Sequence, residues 1–198
     1  TSAVHRPTLR IDPAGVDAHE SAPGAGALAA DMHRLVAEYD PSSDRERASH
    51  ADFARFFADE HGPVGRDDGP DHATASALVF DTSLSRTLLV FHRKGRFWVQ
   101  PGGHLEAGDR SILDAALREL REETGVAASV DGPLVHDLDH HSLSSAFGRC
   151  ASHLDVGIAV VVDADHQLVV SEESDDVRWW PLDGLPEDVP DGFADRVR

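Results

Sequence analysis

Cysteine is almost missing from this chain: Cys150 is the only one in 198 residues. A single thiol forms no internal disulfide and no Cys-rich zinc site, which fits a reducing cytosol, and Cys150 reads as a small buried apolar side chain. Positive charge is scarce as well. Lys and Arg total 18 against 36 Asp and Glu, a formal net charge of -18, which repels nucleic-acid backbones and anionic membranes. A long polynucleotide and a membrane surface are therefore poor partners. A small phosphate ester is not excluded, because bound divalent cations reverse the local sign of a carboxylate-lined site. Long apolar runs are absent too. The longest, Val156 to Val162, falls far short of the roughly 20 residues a membrane span needs, and the opening "TSAVHRPTLR" does not read as a signal peptide. The expectation is a soluble, cytoplasmic protein built on one core, since the length suits one full domain plus an appendage.

Composition changes along the chain. Residues 1 to about 27 are rich in Ala, Gly, Pro, Ser and Asp without an apolar period, which predicts an arm lacking independent structure. Leu28, Met32, Leu35, Val36 and Tyr39 then recur at helical spacing up to Asp40-Pro41. A second helix is predicted behind the capping box Ser43-x-x-Glu46, with Phe53, Phe56 and Phe57 on its buried face and an end near Gly62. The turn-rich "GPVGRDDGPD" separates this hairpin, in a segment 1–69, from a main domain over 70–198. There the pattern predicts strands at Ala73 to Phe80, Thr87 to His92, Phe97 to Val99, Leu134 to Leu138, His153 to Val162 and Val177 to Trp180. A helix is expected from Ile112 to Thr124, and a short one after Pro186. Strands joined by hairpin-length turns around a central helix indicate an α+β mixed sheet.

The stretch "GGHLEAGDRSILDAALRELREETGV" carries the chemistry. On a helix, Leu113, Ala116, Leu117, Leu120 and Thr124 form a core face, while Glu119, Glu122 and Glu123 share a sector of roughly 100° beside it. Ser111 suits the N-cap, with Asp114 at the third position, and Gly125 the left-handed C-terminal position. Like charges so close repel one another, and they lie toward the negative end of the helix dipole. Behind a Gly-Gly turn they make a natural cage for hard cations such as Mg²⁺ or Mn²⁺, which take oxygen ligands and relieve both penalties.

These residues resemble the Nudix box, G-x5-E-x7-R-E-U-x-E-E-x-G-U with U aliphatic, and "RELREETGV" matches its second half at every position. One departure precedes the helix. With five residues between it and Gly103, Asp109 stands where the box has its first Glu, and eight residues rather than seven then precede Arg118, so strict register would put Arg110 at the acidic position. We read this as an Asp substitution with one inserted residue, in a loop whose length changes cheaply.

The resemblance implies a Nudix-type α/β/α sandwich with a mixed sheet, here preceded by an N-terminal helical hairpin. It implies hydrolysis of a nucleoside diphosphate linked to another moiety, by water attack on phosphorus with Mg²⁺ or Mn²⁺. By position, Glu119, Glu122, Glu123 and the Gly103 carbonyl would be metal ligands, and Arg118 would hold the glutamates in place. The general base stays open between a box glutamate, Glu122 or Glu123, and Glu173 in the later "SEESDDVRWW". Glu106 is placed near the metal and substrate.

Thirteen histidines call for separate attention. "PDHATAS", "FHRKGRFWVQPGGH" and "ASHLDVGIAV" put His72, His92, His104, His153 and Asp155 at strand ends or turns around the presumed site. This pattern resembles a bacterial subset of Nudix proteins with an N-terminal helical segment and "QPGGH" and "HxDV" elements. As a cluster the histidines would bind substrate phosphate or an additional metal; His153 and Asp155 alternate, so both face one side of a strand. Trp98 either stacks on a base or belongs to the core of its strand.

Substrate is not legible. Positions 141 to 143 read His-Ser-Leu, neither the proline that tends to mark ADP-ribose pyrophosphatases nor the tyrosine of dinucleoside polyphosphate hydrolases. Nucleoside triphosphates, nucleotide sugars and other diphosphate conjugates stay open. A non-catalytic Nudix domain that senses a nucleotide through its helical arm is the alternative, and the intact Arg118, Glu119, Glu122 and Glu123 count against it. An isopentenyl diphosphate isomerase would need a reactive cysteine, and Cys150 lacks that family's motif. The hairpin either caps the pocket or mediates a homodimer.

Overall fold

The computed structural model describes residues 25–59, 64–130, 134–144 and 148–197. The expected N-terminal arm, up to residue 24, lies outside them, and the second helix stops at Phe56, short of the end expected near Gly62, where the Phe57 N–H closes the last turn on the Phe53 carbonyl. Two helices open the described chain, α1 over Ala25–Glu38 and α2 over Asp44–Phe56. The Ser43 hydroxyl accepts the Glu46 N–H at 3.2 Å, while the Glu46 carboxylate reaches back to the Ser42 N–H at 2.6 Å. The capping box therefore forms with its return bond one residue upstream of the usual place. What the hairpin buries itself against is its own chain. Leu28, Met32, Leu35, Val36, Phe53 and Phe57 share one apolar cluster with sheet residues Ala73, Ala75 and Leu154 and with helix residue Leu120.

One sheet of seven strands forms the centre. In chain order these are β1 (Asp71–Asp81), β2 (Arg86–His92), β3 (Phe97–Val99), β4 (Gly102–His104), β5 (Val135–Ser142), β6 (Ser152–Val162) and β7 (Ser174–Pro181). β1 and β6 run parallel from Asp71 opposite Ser152 to Asp81 opposite Val162. β5 is antiparallel on the far side of β6; β2 and β4 flank the other edge of β1, and β3 and β7 flank β2. Because β1 and β6 are central, both their faces are buried, and β1 reads as an almost continuous buried run.

Alternation along β1 sorts the layers. Ala73, Ala75, Ala77 and Val79 face α1, α2 and α3 (Ile112–Thr124), small side chains that let α3 pack close to the strand. On the opposite face Leu78 and Phe80 join Leu89, Trp98 and Phe193 under the single turn of α4, Phe193–Arg196. The result is an α/β/α arrangement around a mixed sheet. Two elements differ from expectation. The "GGH" segment expected to turn is strand β4, because without side chains Gly102 and Gly103 come flush against Ser76 and Ala75 of β1. β5 runs on to Ser142, past the expected end at Leu138, because alternation turns Asp139 and His141 inward, where they pair with each other and Asp139 with Arg196, while His140 and Ser142 stay exposed.

Candidate active site

α3 places the acids. Ser111 caps its start by accepting the Asp114 N–H at 3.0 Å, and Gly125 closes it at φ 76°. Between these ends, Ile112, Ala115, Ala116, Leu120, Glu123 and Thr124 are buried, whereas Leu113 and Leu117 are only partly covered. The buried stripe is thus turned toward Glu123 relative to the expected core face, and one glutamate of the group is drawn into the protein.

Arg118 organises what surrounds it. Its Nε and Nη2 donate to the two Asp109 oxygens at 2.9 and 3.1 Å, and its Nη1 donates to Glu119 Oε1 at 2.8 Å and Glu122 Oε2 at 3.1 Å. A further Nη2 bond, 2.9 Å long, ends on the His104 carbonyl of β4. This fork is what guanidinium geometry allows and an ammonium does not. Asp109 also accepts the Glu106 N–H at 2.7 Å. The residue that departs from the box is therefore the buried anchor for Arg118, while Arg110 points outward to Asp114. Its spacing signalled only a longer loop; the return of the loop onto Arg118 needed three dimensions.

β4 presses against the acids. A Cβ on Gly103 would lie 2.6 Å from Glu119 Oε1, so only glycine lets the backbone come this close to that carboxylate. The Gly102 N–H donates to Glu123 Oε2 at 2.9 Å. Glu122, on the outer edge of α3, stays half exposed at 51%. Glu106 is exposed, with Oε1 3.8 Å from Arg118 Nη1.

The electrostatics follow from burial. Burial pushes Glu123 up to about 8; the Gly102 N–H opposes it, and the charges of Glu119, Glu173 and Glu122 add to the rise. Glu119 is raised for the same first reason, against its bond to Arg118. Arg118 is held firmly protonated, first by its bond to Asp109. Glu173 lies exposed just before β7, its carbonyl accepting the Arg93 N–H at 3.0 Å, and its charge reaches both Glu119 and Glu123. A buried carboxyl that keeps its proton near neutrality, with two further carboxylates on the same helix, offers oxygen donors to a hard dication. The chemistry of Glu119, Glu122 and Glu123, with Gly103 of β4 against Glu119, suits a hard dication such as Mg²⁺ or Mn²⁺.

The remaining candidates sit elsewhere. His72, His104 and His153 come together on the sheet face opposite α3, with ring centroids 5.0 to 5.2 Å apart. Burial pushes His104 down to about 4 and His153 to about 3, with neighbouring cationic groups adding to it. His92 is not among them; it stacks on Phe97 and accepts the Gly95 N–H at 2.9 Å. Asp155 is buried beside Thr74, Ser76, Gln100 and Arg196, all of which donate to it. Burial alone would raise its carboxyl, yet Arg196 and the Ser76 hydroxyl hold it below the usual range. Trp98 packs edge-on against Phe91 and Trp180 in the second apolar cluster. Arg196 went unnoticed in the sequence, since nothing near the chain end marks a residue that joins three strand aspartates, Asp137, Asp139 and Asp155.

Comparison with known proteins agrees with this geometry. The family model of the NUDIX domain matches residues 70–196. Phosphatase NudJ of Escherichia coli K12 is 42% identical over 57 residues, which cover 29% of this chain and 31% of NudJ. The m7GpppN-mRNA hydrolase NUDT17 of Xenopus laevis is 49% identical over 48 residues, 24% of this chain and 15% of that protein. The matched segments thus span less than a third of these relatives' own length. In fold, the chain is similar to the MutT protein of Methanosarcina mazei Go1, with a TM-score of 0.53 at 23% identity, covering 66% of this chain and 92% of that one. With a family model matched over most of its length, on a fold that brings Arg118 and the acids of α3 against β4, the chain belongs to the Nudix family.

Proposed function

We propose that this chain is a metal-dependent pyrophosphohydrolase acting on a nucleoside diphosphate linked to another moiety. The observation that carries the reading is the Arg118 fork, which holds Glu119 and Glu122 together beside Gly103 and locks β4 in place through the His104 carbonyl. A pure sensor has no use for acids held so close at a cost in repulsion.

Glu119, Glu122, Glu123 and the Gly103 carbonyl would hold Mg²⁺ or Mn²⁺, which when bound neutralises phosphate charge and acidifies water. The protein's own residues do the rest. Arg118 keeps the carboxylates aligned; Glu123, tied to Gly102, couples the helix to the strand; Glu106, exposed beside Arg118, lies on the side open to substrate. Glu173 is the base we favour. Its charge reaches Glu119 and Glu123 from a separate loop and it is exposed, so it could accept a proton from attacking water without leaving a ligand position. Positioning then accounts for much of the rate, as in phosphoryl transfer generally. Trp98 lies in the second apolar cluster and Asp155 accepts from Arg196, which supports a structural role for each. A divalent cation at the glutamates would offset the local negative charge that otherwise repels a phosphate from a chain of net charge -18.

Release of phosphate or pyrophosphate from a panel of nucleoside diphosphate conjugates and triphosphates, with Mg²⁺ or Mn²⁺, tests this. Turnover should require the metal and fall by about 100-fold or more in Glu122→Gln. Glu173→Gln should lower kcat with little change in KM. Nucleotide binding without cleavage across the panel would overturn the hydrolase reading in favour of a sensor.

A further inference from the structure

A second cluster lies on the face of the sheet turned away from α3. His72 comes from β1, His153 is its parallel partner on β6, His104 ends β4, and Cys150 precedes β6. One ligating atom from each, three imidazole nitrogens and the thiol sulfur, all lie within 4.8 Å of one another. Cys150 Sγ and His104 Nε2 are 3.9 Å apart. In a tetrahedral centre with bonds of about 2.0–2.3 Å, ligand atoms stand about 3.3–3.6 Å apart, so small side-chain rotations close the set.

Two of these nitrogens are otherwise unexplained. His72 is fully buried, at 0% exposure, and its Nε2 finds no hydrogen-bond partner among the described residues; the same holds for the buried Nε2 of His153. Native interiors rarely leave such atoms unpaired without a reason. The orientation of His72 supplies one. Its Nδ1 lies 2.9 Å from the Gly69 carbonyl, which can only accept, so Nδ1 carries the proton and Nε2 directs its lone pair into the cluster. A backbone carbonyl on the outer nitrogen is how ligating histidines are commonly oriented.

We propose that His72, His104, Cys150 and His153 form a structural site for a zinc-class divalent cation. Three nitrogens and one sulfur select a borderline ion such as Zn²⁺ over Mg²⁺, and four protein ligands fill its coordination, which marks a structural rather than a catalytic centre. The site is separate from the glutamate group in ligands and in sheet face, but the two share β4. His104 gives its imidazole to the cluster and its carbonyl to Arg118, and its neighbour Gly103 abuts Glu119. An ion at the cluster therefore pins the strand against which the acids are arranged.

The full chain, dialysed against metal-free buffer, should retain one equivalent of zinc by elemental analysis. Replacement by Co²⁺ should give the intense visible bands of a tetrahedral site and a near-ultraviolet band from thiolate to cobalt, both unchanged by excess Mg²⁺. Cys150→Ser should lose the thiolate band and bind zinc at least about 10-fold more weakly; His153→Ala should lose the tetrahedral spectrum. Glu119→Gln/Glu122→Gln should keep both bands. Cys150→Ser changes one atom, and a circular dichroism spectrum matching the parent in chelator shows that it folds. Absence of stoichiometric zinc and of the cobalt thiolate band in the parent chain would overturn the site. So would zinc retention that survives Cys150→Ser and disappears in the glutamate variant.

Discussion

Among single residues, Glu123 bears the sharpest conflict. It is 7% exposed, yet it sits beside two further acids of its own helix. Its folded pKa of about 8 stands above the ordinary 4.5, so the folded state holds this proton more tightly than the unfolded chain does. The stability so contributed is complete below about pH 4.5 and is lost as pH rises through about 8. His104 and His153 work in the opposite direction, but only below their ordinary 6.5. Between pH 6.5 and 8 the carboxyl stands apart from them. Urea unfolding of the metal-free protein over that interval should show stability falling by about 2 kcal/mol, from 1.36 kcal/mol per pKa unit. Glu123→Gln should flatten the slope, and, under the proposed ligand set, in which the ionised carboxylate binds the metal, Mg²⁺ should stabilise the parent more at pH 8 than at pH 6.5.

At the level of elements, β4 is the link between helix and sheet. It has only three residues, Gly102 to His104, and each serves a neighbour: Gly102 binds Glu123, Gly103 abuts Glu119, and His104 takes Arg118 through its carbonyl. A Cβ on Gly102 would stand 2.5 Å from Ser76 Cβ and 2.9 Å from the Ala75 carbonyl oxygen, a clash with backbone that no rotamer relieves. Gly102→Ala should cost about 1–3 kcal/mol in urea unfolding, as overpacking does. It should also lower metal affinity at the glutamates, read by Mn²⁺ titration, because β4 must move away from β1. Gly108→Ala, with open space around the added carbon, is the control that should change neither.

For the molecule as a whole, α4 is tied to the sheet through Arg196, which bridges edge strand β5 and central strand β6. This arginine is 7% exposed and pairs with Asp137 and Asp139 of β5 and Asp155 of β6, which hold its guanidinium firmly charged against burial. Such a pair is costly to break, because the acids left behind stay buried. Arg196→Ala should destabilise by about 3–5 kcal/mol, measured by denaturant unfolding, with the loss reduced in Arg196→Ala/Asp155→Asn. Arg45 of α2 reaches Asp137 at 2.6 Å from the other side, so the helical hairpin and the chain end meet on the same strand. Among the described residues no helix is long and apolar enough to cross a membrane.

The sequence by itself determined the elements that rest on local physics. The bounds of α3 follow from Ser111, an apolar period and Gly125; the hairpin from its apolar stripe, the Asp40-Pro41 break and Ser43; the main strands from their β-type runs. The acids of the box and Arg118 were legible for the same reason, since their spacing on one helix already sets their mutual position. Tertiary structure decided what depends on distant segments meeting. β4 looks like a turn until Ser76 lies against it, and Asp109 looks like a substitution until the loop folds back onto Arg118. Asp155 shares a face with His153, as alternation requires, but only Arg196, 41 residues on, shows that this carboxylate is already engaged. The convergence of His72, His104, Cys150 and His153 required strand order and register, because, the neighbours Cys150 and His153 aside, these residues stand 32 to 81 positions apart and meet only through the parallel pairing of β1 with β6 and the return of β4 along β1.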